Sequence, residues 1–200
     1  MTRVAGEQAL SDIQLDALRE LSNIGSGSAS TALAAMLGRS IDISVPTAAA
    51  VPLAEAVTMI GEPGELRHAV LLPVLGELDA NVVLLFPEED ADKICGIYGI
   101  EAATPDGQSM LGEVGNILTA NYVGVLGQMA GLALEPGPPQ VVCDLLGAVV
   151  ESVLLVSAAA DDTALVLDSS LTVEDEACSL SFLLLAGHDG VRRVLANMGL

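Results

Sequence analysis

The chain has 200 residues, 52% of them hydrophobic, enough for a sizeable core in one compact domain or two intimately packed halves. Seven basic residues against 27 acidic ones give a net charge of -20, a balance that repels phosphate backbones and anionic lipids and argues against nucleic-acid or membrane-surface binding. With two Tyr, two Phe and no Trp, the interior has to be filled by Ala, Val, Leu, Ile and Met, which favours close approach between helices.

A helix is predicted from Ser11, an N-cap with Asp12 in its first turn, to Gly38, where a glycine suits the C-terminal cap. Inside it, Gly25 to Ser30 (GSGSAS) follows no strand, so it reads as a site of close helix packing or a kink and not as a phosphate loop. Ile41 to Val45 alternates like a strand that stops at Pro46. Pro52 to Ile60 reads as a short helix with proline in its first turn. Leu66 to Leu75 and Asp79 to Phe86 form a β-hairpin around Gly76 and Glu77, in which Pro73 calls for an edge position or a bulge. Pro87 to Ile97 is a helix with acids at its start.

The second half repeats this order. A helix from about Gln108 to Gly131 leads to a proline-rich bend, EPGPPQ, then to a helix from Asp144 to Ser157. Two strands follow, Ala164 to Leu171 and Ala177 to Leu185, and a last helix from Asp189 to Met198. Val114 to Leu134 carries no charge, yet Asn116, Asn121, Gln128 and its glycines make it a buried central helix and not a membrane span.

The repeat is chemical as well. Asp16, Glu20, Asn23 and Pro46 recur as Ser109, Glu113, Asn116 and Pro139, each 93 positions later, so both copies read [Asp/Ser]-x3-Glu-x2-Asn-x22-Pro. Leu18 with Leu111, Leu33 with Leu126 and Gly38 with Gly131 match at the same offset. At roughly 100° per residue, the acid and the amide of each copy share an arc of about 60° on one helix face. Leu18, Leu21 and Ile24, like Leu111, Val114 and Ile117, turn another stripe toward the core. Exposed Glu and Asn are ordinary on one helix, but Asn is a poor helix former and its doubling at a fixed offset asks for a reason.

The predicted fold is α+β: two repeats, about 11–100 and 104–200, in a single domain over 1–200, related by a pseudo-two-fold axis. They share one continuous antiparallel sheet with the two long helices packed together on one side. A Glu and an Asn one turn apart, with no His, Cys nucleophile or Lys nearby, cannot build a covalent or triad mechanism. A carboxamide can orient water, and orientation counts most in phosphoryl transfer, where positioning and charge compensation do most of the work.

The doubled motif resembles that of the CheC, CheX and FliY family of chemotaxis phosphatases, over essentially the whole chain. The repeated halves without an appended switch domain are most similar to its CheC branch. The resemblance implies hydrolysis of the phospho-aspartate on the response regulator CheY. It implies that Glu20 and Glu113 pair with the regulator's lysine, that Asn23 and Asn116 position water, that Asp16 and Ser109 support docking, and that Pro46 and Pro139 are structural. Mg²⁺ would belong to the regulator. The receptor deamidase CheD is a further implied partner, and a non-catalytic binding module for CheD or a flagellar switch component is the alternative.

No metal of the chain's own is expected, since His68 and His188 are isolated and the acids at 161, 162 and 174–176 read as loop carboxylates. Cys95, Cys143 and Cys178 are far apart and read as buried hydrophobes in a reducing compartment. With no apolar signal region in residues 1–14, a cytoplasmic location is expected. Lys93 is the only lysine, and an acidic, lysine-poor surface suits a salty cytoplasm, because at about 1 M salt the Debye length is about 3 Å. A halophilic source is a hypothesis that a melting temperature unmoved by molar salt would sink; sparing use of Lys codons would give the same composition.

Overall fold

The computed structural model describes residues 11–156, 163–174, 176–186 and 188–199. Helix α1 covers Asp12–Leu37 and starts in a capping box: the Gln14 backbone N–H donates to Ser11 Oγ, and the Ser11 N–H donates to the Gln14 side chain. It ends at Gly38, whose φ of 63° is a left-handed geometry that a side chain would strain. Helix α4, Pro105–Ala130, has a one-way cap, Thr104 Oγ1 accepting from the Gly107 N–H, and repeats the left-handed glycine end at Gly131, φ 63°. It opens three residues before the expected Gln108, because Thr104 followed by Pro105 is a stronger start signal than the apolar pattern.

The strands are β1 (Ile41–Pro52), β2 (Leu66–Gly76), β3 (Ala80–Pro87), β4 (Leu134–Pro136), β5 (Gln140–Leu145), β6 (Thr163–Val173) and β7 (Glu176–Ala186), with short helices α2 (Leu53–Ile60), α3 (Glu88–Gly96), α5 (Leu146–Val156) and α6 (His188–Asn197). The sheet is antiparallel in the order β1-β6-β7-β3-β2-β4, and β5 also pairs with β2. The hairpins β2–β3 and β6–β7 meet through β3 and β7 at the centre. Each outer position is then filled from the opposite half: β1 lies on β6, and β5 lies on β2. The halves are interlocked, since each covers the hairpin edge that the other would leave bare.

One sheet face carries Val70, Leu72, Leu84, Phe86, Leu180 and Phe182 against the long helices α1 and α4, with α3 and α6 at their flanks. The opposite face carries Ala69, Val83, Leu85, Val166, Leu183 and Leu185 beneath α2 and α5. Small residues bring the long helices together. A Cβ on Gly25 of α1 would lie 2.7 Å from the Tyr122 ring of α4, and Gly115 likewise lets α4 approach the sheet, where a Cβ would lie 2.8 Å from Val70. Ser22, Ser26 and Ala29 are buried on the same stripe, with Ser22 Oγ donating to the Leu18 carbonyl and Ser26 Oγ to that of Asn23. GSGSAS is therefore a packing seam. Tyr122 in turn tilts against Phe182, ring centroids 4.8 Å apart.

Several local expectations differ. Strand β1 does not stop at Pro46 but runs on to Pro52; its register with β6 slips between Ser44 and Thr47, and a proline without N–H is tolerated at such a bulge. Pro52 accordingly ends a strand and does not sit in the first turn of α2. Residues 140–145 are an edge strand, so the helix begins at Leu146 and not at Asp144. Pro73 sits where β2 passes from β5, which ends opposite Leu71, to β4, which begins opposite Val74; its carbonyl takes the Gly137 N–H at 2.7 Å. Ile24 is 46% exposed, because the buried stripe of α1 continues through Ser22, Gly25 and Ser26 and not through the large residues.

Candidate functional site

The stripe that buries Leu18, Leu21 and Ser22 fixes what α1 shows to solvent: Asp16, Glu20 and Asn23 are all exposed on the side away from the sheet. Likewise Leu111, Val114 and Gly115 face inward on α4, while Ser109 and Glu113 are exposed and Asn116 is half-buried. Among the described residues, no partner bonds the carboxylates of Glu20 and Glu113 or the carboxamides of Asn23 and Asn116. Asn121, one turn beyond, is occupied in comparison, its Nδ2 donating to the Ile117 carbonyl at 2.8 Å. Each helix thus presents an acid and an amide with unused hydrogen-bonding capacity.

The surroundings of the two faces differ. On α1, Arg19 Nη1 pairs with Asp16 Oδ1 at 2.9 Å. The position 93 later is Gly112, where a Cβ would stand 3.2 Å from Val141 Cγ2 and 3.8 Å from Pro139 Cγ. The chain returning from α4 therefore lies against that turn, and Pro139 flanks the face that holds Asn116. Pro46 lies in the β1 bulge. Sequence reasoning passed over Arg19, although Asp16 and Arg19 at i and i+3 are a recognisable helical pair and the mismatch with Gly112 breaks an otherwise regular repeat.

Nucleophiles stand elsewhere. Burial pushes the Cys95 thiol up to about 11 and raises those of Cys143 and Cys178, so none is a ready thiolate. Cys143 is only partly buried, a correction to the reading of three interior thiols. His68 is not isolated: it is 2% exposed on β2, with Nε2 3.7 Å from Cys143 Sγ, and burial lowers its pKa against the pull of Asp92 and Glu88. Glu174, at φ 48°, pairs with Arg39 at 3.1 Å, whereas Asp161, Asp162 and Asp175 lie outside the described residues. Among the described residues no group of three or more His, Cys, Asp or Glu is placed to hold a metal, and no helix is long and apolar enough to cross a membrane.

A family model, that of the CheC-like family, matches residues 13–49 and 107–143, and each stretch encloses one face with its proline. Both halves of the chain are thus similar to the CheC-like family. It is 29% identical over 196 residues to the CheY-P phosphatase CheC of Bacillus subtilis (strain 168), covering 93% of this chain and 94% of that protein. The crystal structure of Thermotoga maritima FliY superposes with a TM-score of 0.80 at 20% identity, covering 96% of this chain and 98% of that one. The FliM middle domain from H. pylori gives 0.68 at 10% identity, over 94% and 100%. At these identities the two structures speak for the fold alone.

Proposed function

We propose that this CheC-like chain is a phosphatase of the phospho-aspartate on a CheY-type response regulator, working at two faces. The observation that carries the reading is the pair of unengaged Glu and Asn side chains presented outward on both α1 and α4. Similarity to a protein named as a CheY-P phosphatase supplies the substrate class.

In this reading Glu20 and Glu113 grip a lysine of the regulator, with Asp16 and Ser109 supporting the contact. Asn23 and Asn116 enter the phosphorylated pocket, where each carboxamide holds a water in line with the phosphorus as an amide acceptor and donor. As the water oxygen bonds to phosphorus, the P–O bond to the aspartate breaks and its carboxylate leaves; a carboxamide does not titrate, so the water's proton leaves on the phosphate, not on this chain. Mg²⁺ would be held by the regulator and would supply charge compensation to the phosphoryl group there. The reaction takes place where the regulator is, in the cytoplasm. Docking of CheD is a separate proposal, for which no residue of this chain is assigned.

The test is phosphate release from phosphorylated regulator by the wild type, Asn23→Ala, Asn116→Ala and the double variant. Each single change is expected to leave partial activity, and the double to lose about 100-fold or more, since positioning supplies most of the rate. Because a fold does not fix an activity, the second reading is a binding module that holds CheD or a switch component. Wild-type release no faster than the regulator's own decay would favour it over the phosphatase.

A further inference from the structure

Arg19 is the one basic side chain on either face, and it stands where a cation is least welcome. On the helix it lies four residues before Asn23 and adjoins Glu20, so it borders the patch that has to receive a partner's positive charge. It does not face that patch unattended, because its guanidinium is drawn back one turn to Asp16 Oδ1 at 2.9 Å. Both side chains are more than half exposed, so the pair adds little to stability. Its effect is on charge.

With Asp16 and Arg19 cancelling, Glu20 is the uncompensated acid among the motif positions of the first face. The second reaches the same balance at the matching positions with neither charge: Ser109 and Gly112 are neutral, and Glu113 is the acid of the motif. Nor can an arginine stand at the second position without displacement, since even a Cβ on Gly112 would meet Val141 at 3.2 Å. Position 16 thus carries an acid on the face that has a base to neutralise, and position 109 a hydroxyl on the face that has none.

We infer that Asp16 is a positioning residue that acts through Arg19, holding an intrahelical cation off the docking patch, and does not itself contact the partner. This rests on the proposed docking of a cationic regulator group at Glu20. The inference assigns different work to two residues that the repeat places in the same slot.

The experiment silences the second face with Glu113→Ala/Asn116→Ala and compares four chains in that background: unchanged, Asp16→Ser, Arg19→Gly, and Asp16→Ser/Arg19→Gly, the last copying the polar pattern of α4. Two readouts are taken, phosphate release and the Kd for beryllofluoride-activated regulator. Asp16→Ser should raise KM and Kd about three- to tenfold at low salt with kcat unchanged, and the deficit should fade at about 0.5 M NaCl. The double change should return both to within about twofold of the background, because the unmasked cation is gone. A double variant as weak as Asp16→Ser, or an Asp16→Ser chain indistinguishable from the background, overturns the inference. Binding that follows this cycle without any phosphate release would uphold it while removing the phosphatase reading; no binding and no release would remove both.

Discussion

The faces on α1 and α4 carry the same acid and amide at the same spacing, yet one stands open and the other is walled. Asn23 is exposed on a helix surface beside an ion pair; Asn116 is half-buried next to the turn that Pro139 and Val141 cover. A side chain already restricted loses less rotamer freedom on docking, an effect of about 0.5–1.5 kcal/mol per ordered side chain. Duplication has kept the chemistry while the surroundings drifted, so the copies are expected to differ in efficiency and not in mechanism.

The comparison breaks most completely if both acids are reversed. Glu20→Lys/Glu113→Lys should abolish regulator binding in titration, by about 100-fold or more, because each face then opposes the partner's cation with its own. Retained binding would mean that the acids are not the grip.

The seam that both faces share comes next. Gly25→Ala should destabilise the fold by about 1–3 kcal/mol, seen as a lower urea midpoint, because its methyl is driven into Tyr122, whereas Gly27→Ala, with open space around it, should be neutral or stabilising. Equal midpoints would show that the two helices are not in close contact there.

A smaller effect separates the faces: Asn116→Ala should lower phosphate release about threefold more than Asn23→Ala, following the difference in ordering cost. Equal losses would mean that the half-burial of Asn116 has no kinetic weight.

The smallest expected effect concerns His68, on β2. Burial lowers its folded pKa below the unfolded value, so the unfolded chain binds the proton more readily, and stability is full above about pH 6.5 and lost as pH falls below it. His68→Leu should flatten that slope in denaturant midpoints between about pH 7.5 and 5.5. An unchanged slope would place the acid sensitivity elsewhere.

Much of this was legible in the sequence because local chemistry decides it. Ser11 as a cap, and the glycines at 38 and 131, mark ends of the long helices by capping alone. The fixed offset of Glu and Asn reveals both faces because those residues are repeated without being needed by the core. What was not legible depends on neighbours distant in the chain. A proline such as Pro46 ends a strand by local rules but continues it when β6 accepts a bulge opposite. Residues 140–145 resemble the start of the helix that follows until β2 offers them a partner. Ile24 is displaced from the core by serines and glycine, because the approach of Tyr122 rewards small volume over hydrophobicity. The Asp16–Arg19 pair was within reach of sequence reasoning; its meaning emerges only against Gly112, whose crowding is tertiary.

The central claim, that an outward carboxamide aligns water inside another protein, is tested most directly by a crystal structure of this chain with a beryllofluoride-activated, Mg²⁺-loaded regulator. The expected result is a regulator seated on α1, α4 or both, with the Asn23 or Asn116 carboxamide about 3 Å from a water in line with the beryllium, which stands in for phosphorus. A regulator bound to the α2 and α5 face or to a sheet edge, with both carboxamides in solvent, would contradict it.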